Sequence, residues 1–198
     1  TIEGERIHFL HYQKDTAEKR PPILLLHGWP SSFNEFVEGA NLISKFNLVV
    51  PSLPGFVFSD PPSLPGMHIG RISQRLHNMM QRLGYAEYGI QGGDWGAAIG
   101  MEMARTFPAS IVGLHLNFCA ESPQPGEGET ISNREMEYRN RVAAFRADEL
   151  AYFEIQRTRP QTLVYGLQDS PVGLLSWMLE KLWAWSDHGD SVDAIWET

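Results

Sequence analysis

The sequence contains a single cysteine, Cys119, among its 198 residues. One cysteine excludes an internal disulfide and fits a reducing compartment, so a cytoplasmic location is expected. No run approaches the roughly 18 consecutive apolar residues that a membrane-spanning helix requires. The sequence therefore predicts neither a disulfide-stapled domain nor a membrane span.

Positive charge is also scarce, with 16 Lys and Arg against 24 Asp and Glu, a net charge of −8. Proteins that bind nucleic acid or anionic membranes usually carry a basic patch, so neither partner is expected. The hydrophobic content of 42% and charged content of 20% are ordinary for a globular chain that buries a core.

One stretch, residues 88–108, organises the chain. A short apolar run is turned by two glycines and followed by a helix-like segment that stops before Pro108. Gly92-x-Asp94-x-Gly96 has the spacing of the strand-to-helix elbow of the α/β-hydrolases, with aspartate where serine is usual. A side chain held on so sharp a turn leaves no room for Cβ atoms two residues to either side. A simpler interpretation is that Asp94 only caps the following helix.

Strand and helix patterns alternate over the first 118 residues. Apolar runs predict strands at residues 7–12, 23–26, 47–50, 88–91 and 111–116. Ser32 with Glu35 has the capping-box spacing that predicts a helix start, and residues 69–83 have helical period with Gly84 as the stop. This alternation predicts a mostly parallel α/β sheet with helices on both faces. His27, Asp94 and Asn117 follow predicted strands, at the sheet edge where ligands collect.

After Asn117 every predicted element is helical. Ser132 and Glu135 form a second capping-box pattern, and Pro160 and Pro171 occupy first-turn positions. Residues 172–185 are strongly apolar, which predicts a buried helix or one that lines an apolar cavity. The predicted organisation is a sheet domain over residues 1–118 and a helical lid over residues 119–198.

Five ordered motifs resemble the α/β-hydrolase-fold epoxide hydrolases, in particular their microsomal-type branch. They are HGWP at residues 27–30, SLPGFVFSD at 52–60, QGGDWG at 91–96, TRPQT at 158–162 and DSPVGL at 169–174. The resemblance implies the α/β-hydrolase fold with a lid. It also implies that a complete member of the family extends beyond both ends of this sequence.

The resemblance implies roles for four residues. Asp94 would attack an epoxide carbon and form a covalent ester. The backbone N–H groups of Trp29 and Trp95 would form the oxyanion hole, and both residues with Tyr152 would contact substrate. Tyr152 would donate a proton from the lid, with Tyr165 and Tyr138 as weaker alternatives. The implied reaction turns a small apolar epoxide into a diol without metal or cofactor.

The sequence departs from the family pattern in one respect. None of its seven histidines has the context of the base that activates the hydrolytic water. His27 is expected to orient its loop by hydrogen bonds to the backbone, and Arg159 to hold the lid. The chain could therefore be inactive, or could only alkylate itself once.

Two alternatives to an active epoxide hydrolase stay open. A haloalkane dehalogenase would also place Trp after Asp at the elbow, but would favour a halide-binding Asn at position 29 and lack the Thr-Arg-Pro lid segment. A truncated, non-catalytic fragment could bind apolar ligands. Homodimerisation through an uncovered sheet edge is a further expectation.

Overall fold

The computed structural model describes residues 1–13, 20–41, 45–118 and 130–187. The chain divides into two compact units, Thr1–Glu121 and Ser122–Thr198. The domain boundary predicted between residues 118 and 119 borders the segment 119–129, which lies outside the described residues, so that boundary stays a prediction. Cys119 also lies outside the described residues.

The first unit contains a five-stranded sheet. Its strands are β1 Phe9–Tyr12, β2 Ile23–Leu26, β3 Leu48–Pro51, β4 Tyr88–Gly92 and β5 Ile111–Leu116. They lie in the order β1-β3-β2-β4-β5. β1 runs antiparallel to β3 and the other four strands are mutually parallel. The predicted, mostly parallel sheet is confirmed.

Both faces of the sheet bury apolar side chains, as the continuous apolar runs predict. Leu24 and Leu26 belong to the larger core, which the helices α1 Ile69–Arg82 and α2 Trp95–Thr106 complete. Leu25 faces the other way, into a smaller core closed by Phe33 and Phe36. Helices therefore cover both faces, but the second face carries short 3-10 helices at Phe33–Phe36 and Gly39–Asn41.

Helix α1 also anchors the start of the chain. Its apolar side is buried as predicted, and Gly84 follows the helix with a φ of +86°. Arg75, only 1% exposed, pairs with Glu3 at 3.1 Å and with Glu5. Ser63 donates two hydrogen bonds of 2.8 Å to the Glu5 carboxylate. These bonds lower the pKa of Glu5 to about 2, Arg75 contributing most, so this buried carboxylate stays charged.

The capping box predicted at Ser32 and Glu35 is wrong. The Ser32 hydroxyl accepts instead from the Asn34 N–H at 3.3 Å, and the Glu35 carboxylate accepts from the Ser31 hydroxyl. The helix that starts here is a single 3-10 turn, in which the N–H two residues after the cap comes within reach.

The second unit is helical, with α3 Asn133–Glu149, α4 Ala151–Thr158, α5 Pro160–Asp169 and α6 Pro171–Trp185. Ser132 and Glu135 form the predicted capping box, and Ser170 caps α6 through the Gly173 N–H. Lys181 of α6 donates to the Glu149 carboxylate at 2.9 Å, which ties α6 to the end of α3. None of the helices in the described part of the chain is long and apolar enough to cross a membrane.

Of the two alternatives predicted for residues 172–185, a buried helix is wrong for this chain, and a helix that lines an apolar cavity stays a prediction. No residue of α6 is buried, and Val172 is 72% exposed. Exposed apolar side chains lie on several sides of the helix: Leu174, Leu175, Met178, Leu182, Trp183 and Trp185. Because α6 is apolar around most of its circumference, the helices of this small unit cannot cover all of it.

Candidate active site

Asp94 occupies the turn between β4 and α2 in a strained backbone conformation. Its φ is +50° and its ψ is −123°. Residues other than glycine rarely adopt a positive φ, and holding one there costs about 1–3 kcal/mol. Such strain persists only where the surrounding structure enforces it, as in the elbow that the sequence predicts.

The glycines of the elbow are required by close backbone contacts. A Cβ atom on Gly92 would lie 2.3 Å from the Gly96 carbonyl oxygen. A Cβ atom on Gly96 would lie 2.1 Å from the Leu26 carbonyl oxygen. The predicted steric role of these two glycines is confirmed, because α2 packs directly on the ends of β4 and β2.

The Asp94 side chain is exposed and does not cap α2. It makes no capping hydrogen bond to the helix, so the simpler interpretation of Asp94 as a helix cap is wrong. Its Oδ1 atom instead accepts from the backbone N–H of Trp29 at 3.0 Å. The structure thus joins two of the residues that the sequence singled out, although they lie 65 positions apart.

Buried His27 fixes the loop that carries the Trp29 N–H. Its Nε2 accepts from the Leu53 N–H at 3.0 Å, so Nδ1 carries the hydrogen and donates to the Gly28 carbonyl at 2.9 Å. Burial lowers the pKa of His27 below its ordinary value of 6.5, which keeps the imidazole neutral. The expected role is confirmed, since both ring nitrogens bind backbone groups.

Gly28 is a site residue that the sequence reasoning missed. A Cβ atom at this position would lie 2.4 Å from Asp94 Cβ and 2.5 Å from Asp94 Oδ1. The backbone of Gly28 therefore packs directly against the carboxylate-bearing side chain. One signal in the sequence could have indicated this role. Gly28 directly precedes Trp29, in a loop that follows a predicted buried strand and so lies at the same edge of the sheet as the elbow.

Asn117 also lies beside the elbow. Its N–H donates to the Gly92 carbonyl at 3.3 Å. Its side-chain oxygen is so close to Gly93 that a Cβ atom there would come within 2.3 Å. His27, Asp94 and Asn117 therefore lie at or just after the carboxyl ends of β2, β4 and β5, as predicted.

Trp29 and Trp95 flank Asp94, and both line a largely apolar cavity of about 1030 Å³. Their side chains are 37% and 50% exposed. Trp95 is the first residue of α2, where a backbone N–H has no partner within the helix. Asp94 itself is not among the lining residues. The remaining lining residues come from the loop after β3 and from α1 and α2: Leu53, Pro54, Phe56, Pro62, Met67, His68, Ile69, Gly70, Ile72, Ala98, Ile99, Met101, Glu102 and Arg105.

Tyr152, the expected proton donor, is a half-buried residue of α4 in the second unit. Its ring meets the Trp185 ring edge-on at 5.6 Å between centroids, and the Lys181 ammonium lies 5.6 Å from its centroid. Of the alternatives, Tyr138 on α3 is 38% exposed and Tyr165 on α5 is 67% exposed. Arg159 donates to the Thr158 carbonyl at 2.7 Å, within the second unit.

Two family profiles match the chain. One, described as the alpha/beta hydrolase fold, matches residues 21–117, and the other, described as the epoxide hydrolase N terminus, matches residues 1–36. The juvenile hormone epoxide hydrolase of Bombyx mori is 37% identical over 94% of this chain and 45% of its own length. Epoxide hydrolase 1 of Oryctolagus cuniculus is 33% identical over 94% of this chain and 47% of its own length.

A solved structure agrees with these matches. The structure of the Aspergillus niger epoxide hydrolase is 37% identical and superposes with a TM-score of 0.70, covering 100% of this chain and 54% of that one. The chain spans about half the length of the curated relatives that it matches. Both profiles, the relatives and the superposed fold agree: the chain belongs to the epoxide hydrolase family of the α/β-hydrolase fold.

Proposed function

We propose that this protein hydrolyses an epoxide to a vicinal diol through a covalent ester on Asp94. The observation that carries the proposal is the position of the Asp94 carboxylate. It is exposed on a strained elbow, accepts the Trp29 N–H at 3.0 Å, and lies at the N-terminus of α2. Backbone N–H groups at a helix N-terminus bind anionic groups, and a carboxylate in such a position can act as a nucleophile.

In the first half-reaction a carboxylate oxygen of Asp94 attacks one epoxide carbon. The bond from that carbon to the ring oxygen breaks, and the ring oxygen takes a proton from a phenol. Because the Trp29 N–H holds Oδ1, the attacking oxygen in this proposal is Oδ2. The products of this step are an alkyl ester on Asp94 and one free hydroxyl group.

In the second half-reaction water attacks the ester carbonyl. The carbonyl oxygen, which is Oδ1, becomes an oxyanion that accepts from the backbone N–H groups of Trp29 and Trp95. In comparable sites each such donor contributes roughly 3 kcal/mol. The alkyl oxygen then leaves as the second hydroxyl of the diol, and the carboxylate reforms with one oxygen from water. The family resemblance assigns the accompanying proton transfer to a histidine, and none of the seven in this sequence has the expected context.

Tyr152 is the proposed proton donor of the first half-reaction. A tyrosine phenol is protonated at neutral pH and can donate to a developing alkoxide. The contact of its ring with Trp185 supports a fixed orientation of the side chain. Replacing Tyr152 by Phe removes only the hydroxyl. This change is expected to slow ester formation by about 100-fold or more, and the same change at Tyr165 much less.

The test of the proposal is Asp94→Ala in a protein that completes this chain with the rest of a family member. The variant is expected to lose diol formation and ester trapping, because no other group can form the ester. The wild-type protein is the positive control, and a urea unfolding curve confirms that the variant is folded. Diol formation by folded Asp94→Ala protein at the wild-type rate would contradict the proposal.

We further propose that this chain performs the first half-reaction without the second, because none of its seven histidines has the context of the base. One equivalent of styrene oxide is then expected to alkylate the chain once, and the ester is expected to persist. Intact-mass spectrometry over several hours measures both features. A folded chain that gains no mass would leave only the binding of apolar ligands as its role.

We also propose that β5 pairs with the β5 of a second copy. β5 is an edge strand whose Val112 and Leu114 are exposed, and such an edge is a template for further pairing. Light scattering is expected to detect a dimer, and a monodisperse monomer would contradict the proposed pairing.

A cytoplasmic location is proposed on the single cysteine alone, and cell fractionation tests it.

A further inference from the structure

The cavity beside Asp94 is a groove that continues along α2, away from the reacting carboxylate. On the α2 side its wall is one helical face, including Trp95, Ala98, Glu102 and Arg105. Arg105 lies ten positions after Trp95, which corresponds to roughly 15 Å along the helix. On the α1 side the wall includes Ile69 and Ile72.

The two ends of this groove differ in chemistry. At one end lie Trp29 and Trp95, the residues that flank the Asp94 carboxylate. At the other end Glu102 and Arg105 form an ion pair at 2.7 Å, and Arg105 lowers the pKa of Glu102 so that the pair stays charged. The groove is therefore apolar along its length and charged at its far end.

We propose that this groove binds the long apolar substituent of an epoxide whose ring lies at Asp94. The inference rests on the proposed function, and it replaces the small apolar epoxide expected from the resemblance by an elongated one. The groove is continuous with the reactive site, because Trp29 and Trp95 flank the Asp94 carboxylate and also line the groove. The ion pair at the far end limits the length of an apolar chain to that of the groove.

The physical reason for binding is the removal of methylene groups from water. Each methylene buried in an apolar site strengthens binding about fourfold. A terminal epoxide with an eight-carbon chain should therefore bind and react far better than propylene oxide. The preference should depend on the space beside Ala98, the half-buried α2 residue one turn after Trp95.

The test variant is Ala98→Phe, which places a phenyl ring in the groove. The matched control is Gln74→Phe, which places the same ring on the exposed side of α1. Met101→Trp is a second blocking variant in case Ala98→Phe fails to fold. Calorimetry measures binding of unreactive 1,2-decanediol. Intact-mass spectrometry measures the ratio of alkylation rates with 1,2-epoxydecane and propylene oxide.

Ala98→Phe or Met101→Trp is expected to weaken diol binding at least tenfold and to lower the rate ratio by a similar factor. Gln74→Phe should change neither quantity. Equal diol binding by wild type and both blocked variants, or no binding by wild type, would overturn the inference. If binding responds as expected but no epoxide alkylates Asp94, the groove is retained and the proposed function fails, so the two failures are distinguishable.

Discussion

Replacing Gly28 by Ala tests how closely the loop after β2 positions the reactive carboxylate. The new Cβ would lie 2.4 Å from Asp94 Cβ and 2.5 Å from Asp94 Oδ1. Carbon atoms in contact are normally about 3.5–4.0 Å apart. Asp94 or the loop must therefore move by roughly 1 Å, and the hydrogen bond from the Trp29 N–H to Oδ1 cannot keep its present geometry.

Two effects of known size follow from this displacement. A misplacement of about 1 Å can cost about 100-fold in rate, so alkylation of Asp94 in Gly28→Ala should slow by about that factor. Overpacking typically costs about 1–3 kcal/mol, so the free energy of unfolding should fall by that amount. The two effects are separable, because the rate is measured on protein that is still folded.

The assay is the rate of mass gain with styrene oxide, together with urea unfolding curves. Gly113→Ala is the matched control, because a Cβ on this β5 glycine meets no heavy atom within 4 Å. It should leave both quantities near the wild-type values. A Gly28→Ala protein that alkylates within about threefold of the wild-type rate would refute the argument that Gly28 positions Asp94.

Three further predictions concern stability, each read from urea unfolding. Arg75→Met leaves the Glu5 carboxylate buried without its partner, so it should destabilise the first unit by about 3 kcal/mol. Arg157→Met removes one member of an exposed ion pair and should have a much smaller effect. Equal losses would contradict the importance of burial. Burial lowers the pKa of His27 in the folded state, so below about pH 6.5 the unfolded state binds more protons than the folded state does. The free energy of unfolding should therefore fall as the pH drops from about 6.5. In His27→Gln this fall should be less steep. Gly166→Ala, in open space within α5, should stabilise the second unit by up to about 1 kcal/mol, and a loss would indicate an unrecognised contact.

Local sequence patterns predicted much of the fold because they depend on nearby residues. The elbow, the parallel strands and the Ser132–Glu135 box are all confirmed, although β5 is largely exposed. The same Ser-x-x-Glu spacing at Ser32 failed, although the residue types are identical. A neighbouring hydroxyl, Ser31, binds the Glu35 carboxylate, and a single 3-10 turn brings a different N–H to the cap. The spacing could not reveal either circumstance.

Contacts between distant segments could not be predicted in the same way. Nothing local to Gly28 indicates that its backbone packs against Asp94, since the two meet only after β2 and β4 pair. The apolar pattern of α6 predicted burial or the lining of an apolar cavity, but not what would cover the helix, and many of its apolar side chains are exposed in this chain. Periodicity identifies an apolar face, whereas its burial depends on a partner.

The central claim is that the Asp94 carboxylate forms a covalent bond to an epoxide carbon. Peptide mapping by tandem mass spectrometry, after incubation of the folded chain with styrene oxide, tests it most directly. One adduct is expected, on the peptide that contains Asp94. Hydroxylamine should release it, as expected for an ester, and Asp94→Asn should not form it. An unmodified Asp94 in folded protein, or an adduct confined to other residues, would contradict it.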